Sequence, residues 1–259
     1  MSASDYPGGH SVVRWPREKT TPNKALELDQ CELAENGFQL IRQYGVDVSR
    51  LERDLDRLSG GQLYYSSRVG ALCHQYSVLP ESANFSEQMI CGGFHTDFMF
   101  QPNPPAYIAL LCLQPDPRHP LYGRNQVVHM RPFLERMQQV FGVGEQELKE
   151  YRLLYDFAER GRFEQPILAD LDGKLIFRFH ERLLAKGQMK GVSAPDMSVE
   201  AMLKAVMIDV MADICLDRGD LLILSNHNAL HRRGECSIEF AGVAGKWRAR
   251  EMATIRFNL

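Results

Sequence analysis

The period of the hydrophobic pattern changes several times along the chain. Residues 35–43, Glu35-Asn-Gly-Phe-Gln-Leu-Ile-Arg-Gln43, read as a first short strand entered by a turn. Leu51, Leu55 and Leu58 then recur at helical spacing over 50–58, with Ser49 available as a cap and Ser59-Gly60-Gly61 as a stop. From 63 to 113 the pattern breaks into short apolar or alternating runs separated by Pro, Asn, Ser and Gly. The run 107–113 is apolar throughout, which predicts a strand buried on both faces. Residues 126–130 predict another short strand. A helix over 132–141 begins with Pro132 in its first turn, and a further helix is predicted over 145–154. Residues 166–179 predict a hairpin, because Asp172-Gly173 stands between two apolar arms. Residues 198–214 give the longest helical stripe, Met202, Leu203, Val206, Met207, Val210, Met211 and Ile214, capped by Ser198. That stripe reads as core packing. Strands follow at 221–224 and 247–259. Strands and helices do not alternate regularly, which argues against a doubly wound parallel sheet. The fold class predicted is mainly β with flanking helices, a β-sandwich or jelly-roll barrel.

Composition narrows the class. The chain has 259 residues, 44% hydrophobic and 24% charged, with a net charge of −3. That suits one globular domain over 26–259, preceded by a polar, Pro- and Gly-bearing flexible arm over 1–25. The balanced charge argues against nucleic acid as a partner, since phosphate binding needs a basic excess. No apolar run approaches the ~20 residues of a membrane span, and the N-terminal segment shows no apolar signal core. The six cysteines form no CxxC pair, so they read as free thiols in a reducing cytoplasm rather than as a zinc site. The expected partner is a small molecule.

Three segments carry candidate chemistry. In Gly92-Gly-Phe-His-Thr-Asp-Phe98, His95 and Asp97 are two residues apart. On an extended segment both side chains share a face, so an imidazole nitrogen and a carboxylate oxygen can converge on one divalent metal. Such a pair is common by chance, and a strand histidine is more often a hydrogen-bonded core residue. In the segment 219–234, a buried strand runs into a polar turn bearing His227 and His231. Two histidines and one carboxylate on one face of an octahedral ferrous ion leave three positions open. The plainer reading is a polar surface loop. His227 and His231 also have the spacing of a helical zinc pair, but no Glu follows His227 and a strand precedes it, which argues against a zinc protease. The third segment, 246–255, holds Arg248 and Arg250, either of which can grip a carboxylate bidentately; a solvated basic edge strand is the alternative.

Together and in this order, these segments resemble the iron(II)- and 2-oxoglutarate-dependent oxygenases of the taurine dioxygenase and clavaminate synthase type. The resemblance runs from about Glu35 to the C-terminus. Residues 35–42 look like the opening strand of that family, His95-Thr-Asp97 like its H-x-D/E motif, and 104–116 like the strand that follows it in the clavaminate-type branch, which hydroxylates free amino acids. Residues 219–226 with Ala229-Leu-His231 look like the strand and distal histidine, although Ser225 stands where Asp is usual and His227 where Arg is usual. The resemblance implies a double-stranded β-helix (jelly-roll) core. It implies that His95, Asp97 and His231 bind Fe(II), and that Arg248 binds the distal carboxylate of 2-oxoglutarate, with Arg250 as runner-up. A threonine that touches the co-substrate in relatives corresponds to about Gln126, next to Asn125. Met252 replaces a second family arginine. The implied activity consumes O2 and 2-oxoglutarate, releases succinate and CO2, and hydroxylates an unactivated C–H bond of a small polar substrate such as a free amino acid. Asp97 occupies the ligand place that halogenases leave small, which favours hydroxylation. Phe98, Gln101, His129, Asn228 and Arg233 are candidate pocket residues, and the N-terminal arm and 186–196 candidate lids. The alternatives are a cupin-like metal-binding sensor or binding module, and an iron enzyme that uses dioxygen without 2-oxoglutarate.

Overall fold

The computed structural model describes residues 25–66, 70–157, 161–185, 198–240, 242 and 246–259. Residues 1–24 of the expected arm and all of the expected lid over 186–196 lie outside them. In chain order the elements are α1 (Gln30–Asn36), β1 (Phe38–Ile41), α2 (Val48–Ser59), β2 (Cys73–Ser77), β3 (Tyr107–Gln114), β4 (Asn125–His129), α3 (Met130–Phe141), α4 (Glu145–Glu150), β5 (Arg152–Phe157), β6 (Gly161–Pro166), β7 (Leu168–Leu171), β8 (Lys174–Phe177), α5 (Val199–Val210), β9 (Ala212–Ile214), β10 (Leu221–Ser225), β11 (Ala229–Arg233), β12 (Ile238–Phe240), β13 (Trp247–Ala249) and β14 (Glu251–Phe257). No described helix is long and apolar enough to cross a membrane.

Two antiparallel sheets organise these elements. The larger has the order β1-β10-β3-β14-β2 and the smaller β11-β4-β9. Side chains alternate along each strand, so each sheet has an inner and an outer face. Ile108, Leu110, Cys112, Leu222, Leu224 and Met252 of the large sheet pack with Val127, Ile214 and Ala229 of the small one, forming the core between them. The alternate residues Ala109, Leu111, Leu221, Ile223, Ala253 and Ile255 face outward and are covered by Leu33 of α1 and Leu51 and Leu55 of α2. Val128 and Leu230, on the outer face of the small sheet, join a third cluster with Phe133 and Met137 of α3 and Met202, Val206 and Met207 of α5. Burial of both faces explains why 107–113 is apolar without alternation.

Several local features match the sequence pattern. The β7–β8 hairpin turns at Asp172 (φ 49°) and Gly173 (φ 75°), the two left-handed positions that a tight type I′ turn requires. Ser198 caps α5 by accepting from the Ala201 N–H. Other boundaries differ. Asp47, not Ser49, caps α2, accepting from the Arg50 N–H at 3.0 Å. Residues 35–36 end a helix capped by Asp29 and stopped at Gly37 (φ 78°), where a side chain would press within 2.9 Å of Ala229 Cβ. The predicted helix over 145–154 stops at Glu150, because Leu153 and Tyr155 alternate into the core as β5 and pair with β6. The helix over 198–214 stops at Val210, because Ala212–Ile214 pairs with β4 as the edge of the small sheet.

Candidate metal centre

The inner face of the small sheet carries the chemistry. His231 and Arg233 share it with Ala229 on β11, and Asn125 and Val127 lie opposite them on β4, since Arg233 pairs with Asn125 and His231 with Val127. His95 comes from the irregular segment after β2. It is tied to β11 by a reciprocal bridge, in which the His95 N–H donates to His231 O at 3.0 Å and the His231 N–H to His95 O at 2.9 Å. Asp97 is placed by Asn226, which is fully buried in the turn between β10 and β11. Asn226 Oδ1 accepts from the Asp97 N–H at 2.7 Å, and its Nδ2 donates to Asp97 O at 3.0 Å and Pro105 O at 2.8 Å. Phe98 follows with φ 56°, a strained conformation for a residue with a side chain.

These tethers bring together one ligand atom each from His95, Asp97 and His231, all within 4.8 Å of one another. Asp97 Oδ1 lies 3.4 Å from His95 Nε2 and 3.8 Å from His231 Nε2. His95 Nδ1 is 2.9 Å from Gly93 O. A carbonyl only accepts, so Nδ1 donates to it and the ring is held with Nε2 turned toward the cluster, the orientation a metal ligand needs. Burial and the neighbouring His95 hold the His231 pKa down to about 3, so His231 is neutral near pH 7. Burial alone would push the Asp97 carboxyl up, but Arg256 and the two imidazoles hold it well below the usual carboxylate range. One carboxylate and two imidazoles therefore meet at a single point.

The other expected site residues divide. Arg250 is buried and donates to Asn125 Oδ1 at 2.8 Å, spanning the two sheets, while Asn125 Nδ2 has no hydrogen-bond partner among the described residues. Arg248 lies on β13, more than half exposed, 3.3 Å from Glu239, and is not brought to the cluster. Arg248 pairs with Glu239 in the separate β12–β13 sheet, whereas Arg250 follows that strand and reaches Asn125, so motif spacing alone does not set which arginine turns inward. Gln126 points to the outer face, where it accepts from Arg232 at 2.6 Å and donates to Asp213 at 2.8 Å; its neighbour Asn125 faces inward. Of the candidate pocket residues, Phe98 packs at a tilt against Tyr64, 4.7 Å between ring centres, and Arg233 is spent on the Phe85 and Ile90 carbonyls. His227 donates to Pro104 O at 3.1 Å, away from the cluster.

Three further residues emerge only in three dimensions. Arg256 donates from Nε to Asp97 Oδ2. Asn226 holds the Asp97 backbone, as described. The His180 ring lies 4.9 Å from the His95 ring, and burial keeps it neutral. Asn226 sits within a motif, but nothing in its spacing reveals the 129-residue clasp. Arg256 is one cation among several in the C-terminal strand, and His180 has no motif at all.

This architecture is the fold of iron- and 2-oxoglutarate-dependent oxygenases. An asparagine oxygenase solved with Fe(II), 3-hydroxyasparagine and succinate matches with a TM-score of 0.65 and 17% identity, over 88% of this chain and 77% of that one. The non-heme iron oxygenase OrfP, solved with Fe and alpha-ketoglutaric acid, matches at 0.61 and 18%, over 88% and 77%. A taurine dioxygenase from Burkholderia xenovorans matches at 0.58 and 13%, over 90% and 83%. Among curated proteins, the L-lysine 3-hydroxylase of Catenulispora acidiphila is 28% identical over 207 residues, covering 75% of this chain and 56% of the relative. The chain thus spans little more than half the length of that relative. No family model matches.

Proposed function

We propose that the protein is a 2-oxoglutarate-dependent iron oxygenase that hydroxylates a small amino-acid substrate. The observation that carries this reading is the convergence of His95, Asp97 and His231 on one point. Two imidazoles and one carboxylate with open positions suit ferrous iron in oxygenases. The residues present fit the group: the His95 Nδ1–Gly93 contact turns Nε2 toward the cluster, and the buried Arg250 with Asn125 Nδ2 offers a charged and a neutral donor to a carboxylate between the sheets. In this reading His95, Asp97 and His231 hold iron. Arg250, rather than Arg248, anchors the distal carboxylate of 2-oxoglutarate, assisted by Asn125 rather than Gln126. We read the two facing sheets as a double-stranded β-helix core, as the structural matches support.

Bound iron, with 2-oxoglutarate and dioxygen, supplies the oxidising power for C–H hydroxylation, 2-oxoglutarate leaving as succinate and CO2. The chain's own contribution is placement and shielding. The His95–His231 bridge fixes the distance between the imidazoles, and Asn226 fixes the carboxylate. Phe94, Phe177, Phe179 and Met99 on one side and the inter-sheet core on the other flank the centre with apolar packing, leaving solvent access on the side where the His95 side chain is 27% exposed. A free amino acid or derivative is the substrate class supported by relatives described as an L-lysine 3-hydroxylase, an asparagine oxygenase and an OrfP complex with a hydroxy-arginine. The six free thiols support a reducing compartment such as the cytoplasm. The test is a screen for succinate release from 2-oxoglutarate, with Fe(II) and O2, over free amino acids including lysine, asparagine and arginine. Succinate formed in step with a hydroxylated amino acid is the expected result. No succinate above a metal-free control with any substrate would overturn the reading and favour a metal-binding module.

A further inference from the structure

We propose that Arg256 is a positioning residue that reserves one oxygen of Asp97 and so restricts this carboxylate to a single bond with the metal. The inference rests on the iron reading above and goes beyond it. The two oxygens of Asp97 face different partners. Oδ1 faces both imidazoles, 3.4 Å from His95 Nε2 and 3.8 Å from His231 Nε2, while Oδ2 accepts from Arg256 Nε. Arg256 is well placed to hold that oxygen. It lies on the inner face of β14, opposite Ile108, with its side chain 14% exposed. Its guanidinium carbon sits 5.3 Å from the centre of the Phe98 ring, and Phe98 itself packs at a tilt against Tyr64. The cation is therefore held by an aromatic face and a carboxylate.

Arithmetic of coordination makes this consequential. Carboxylates bind metals through one oxygen or through both. Two imidazoles and one oxygen leave three positions on a six-coordinate ion; a second carboxylate oxygen would leave two. A chelating oxo-acid takes two positions and dioxygen needs a third. By occupying Oδ2, Arg256 keeps the third position open. Neither arginine singled out by motif can do this, because Arg248 faces Glu239 and Arg250 faces Asn125.

The test uses cobalt(II), whose visible spectrum reports coordination number and symmetry, in the full chain without oxygen, followed by titration with 2-oxoglutarate. Arg256→Met, which keeps an unbranched apolar stem but no donor, should give an altered cobalt spectrum before any 2-oxoglutarate is added. It should also bind 2-oxoglutarate at least about tenfold more weakly, the usual effect of losing a partner of a metal ligand. Arg256→Lys, which restores a cationic donor, should return both readouts toward wild type. A spectrum and a 2-oxoglutarate affinity in Arg256→Met identical to wild type would overturn the proposal while leaving the iron reading intact. If Arg256→Met does not fold, Arg256→Gln takes its place, and wild-type behaviour there overturns the proposal equally. Wild-type protein that binds no cobalt at the cluster would overturn the iron reading and this inference together.

Discussion

Replacing Asn226 tests how the carboxylate is held. The side chain is fully buried and makes three hydrogen bonds, two to the backbone of Asp97 and one to Pro105 O. Asn226→Ala leaves one N–H and two carbonyls without partners. A buried backbone group stripped of its partner costs about 1–3 kcal/mol, and water entering the vacated space recovers part of that. We expect a loss of about 3 kcal/mol, a large share of the roughly 5–15 kcal/mol that stabilises a typical domain. Metal affinity should fall as well, because the clasp anchors the residue preceding strained Phe98 and hence the aim of the carboxylate. A drop of about 10–100-fold is expected for a lost partner of a metal ligand. Asn226→Asp separates this from simple cavity formation: it keeps the volume and the Oδ1 acceptor but turns an oxygen toward two carbonyls, so it should be no better than alanine. The assay is urea unfolding with metal chelated, paired with anaerobic Fe(II) titration of the folded protein. An Asn226→Asp protein within about 0.5 kcal/mol of wild type and with unchanged metal affinity would refute the reasoning.

Other outcomes follow from the same geometry. Arg250→Ala should weaken 2-oxoglutarate binding by about 10–100-fold, the worth of a charged hydrogen bond, while Arg248→Ala should leave it unchanged; equilibrium titration of the anaerobic iron protein distinguishes them, and the reverse ranking would move the anchor to β13. The metal-free protein should lose stability as pH falls below about 6.5, the ordinary histidine value, because His231 and His180 stay neutral when folded but take up protons when unfolded. Each contributes a slope of up to about 1.4 kcal/mol per pH unit, down to about pH 3 for His231, and denaturant unfolding at pH 7 and pH 5 should show it; His231→Leu should flatten the dependence. Asp47→Ala should cost about 1 kcal/mol in thermal unfolding and Ser49→Ala much less, the opposite ranking placing the α2 cap at Ser49.

Much of this architecture is legible in the pattern of residues. The strand 107–113, the Asp172-Gly173 turn and the capped stripe after Ser198 are local signals with local causes, and each stands in the structure as the pattern predicts. The misplaced ends share a different cause. Ala212–Ile214 and Arg152–Phe157 become strands through pairing with β4 and β6, which local periodicity does not encode. The site follows the same division. The motif residues His95, Asp97 and His231 are adjacent in space as well as conspicuous in sequence. The arginine is harder, because Arg248 is held in the separate β12–β13 pair while Arg250, just beyond it, turns inward to Asn125, a division that motif spacing does not encode. The residues that orient the cluster, Asn226 and Arg256, act across 129 and 159 positions of chain. Side chains of their kind are too common for type or spacing to mark them.

The central claim is that two imidazoles and one carboxylate of this chain hold a single iron with room for 2-oxoglutarate. Anaerobic addition of Fe(II) and 2-oxoglutarate to the protein, followed in the visible spectrum, tests it most directly. A weak charge-transfer band that saturates at one iron per chain, and is lost in His95→Ala, Asp97→Ala and His231→Ala alike, is the expected result. Absence of the band in wild-type protein, or its persistence at full strength in any of the three variants, would contradict the account.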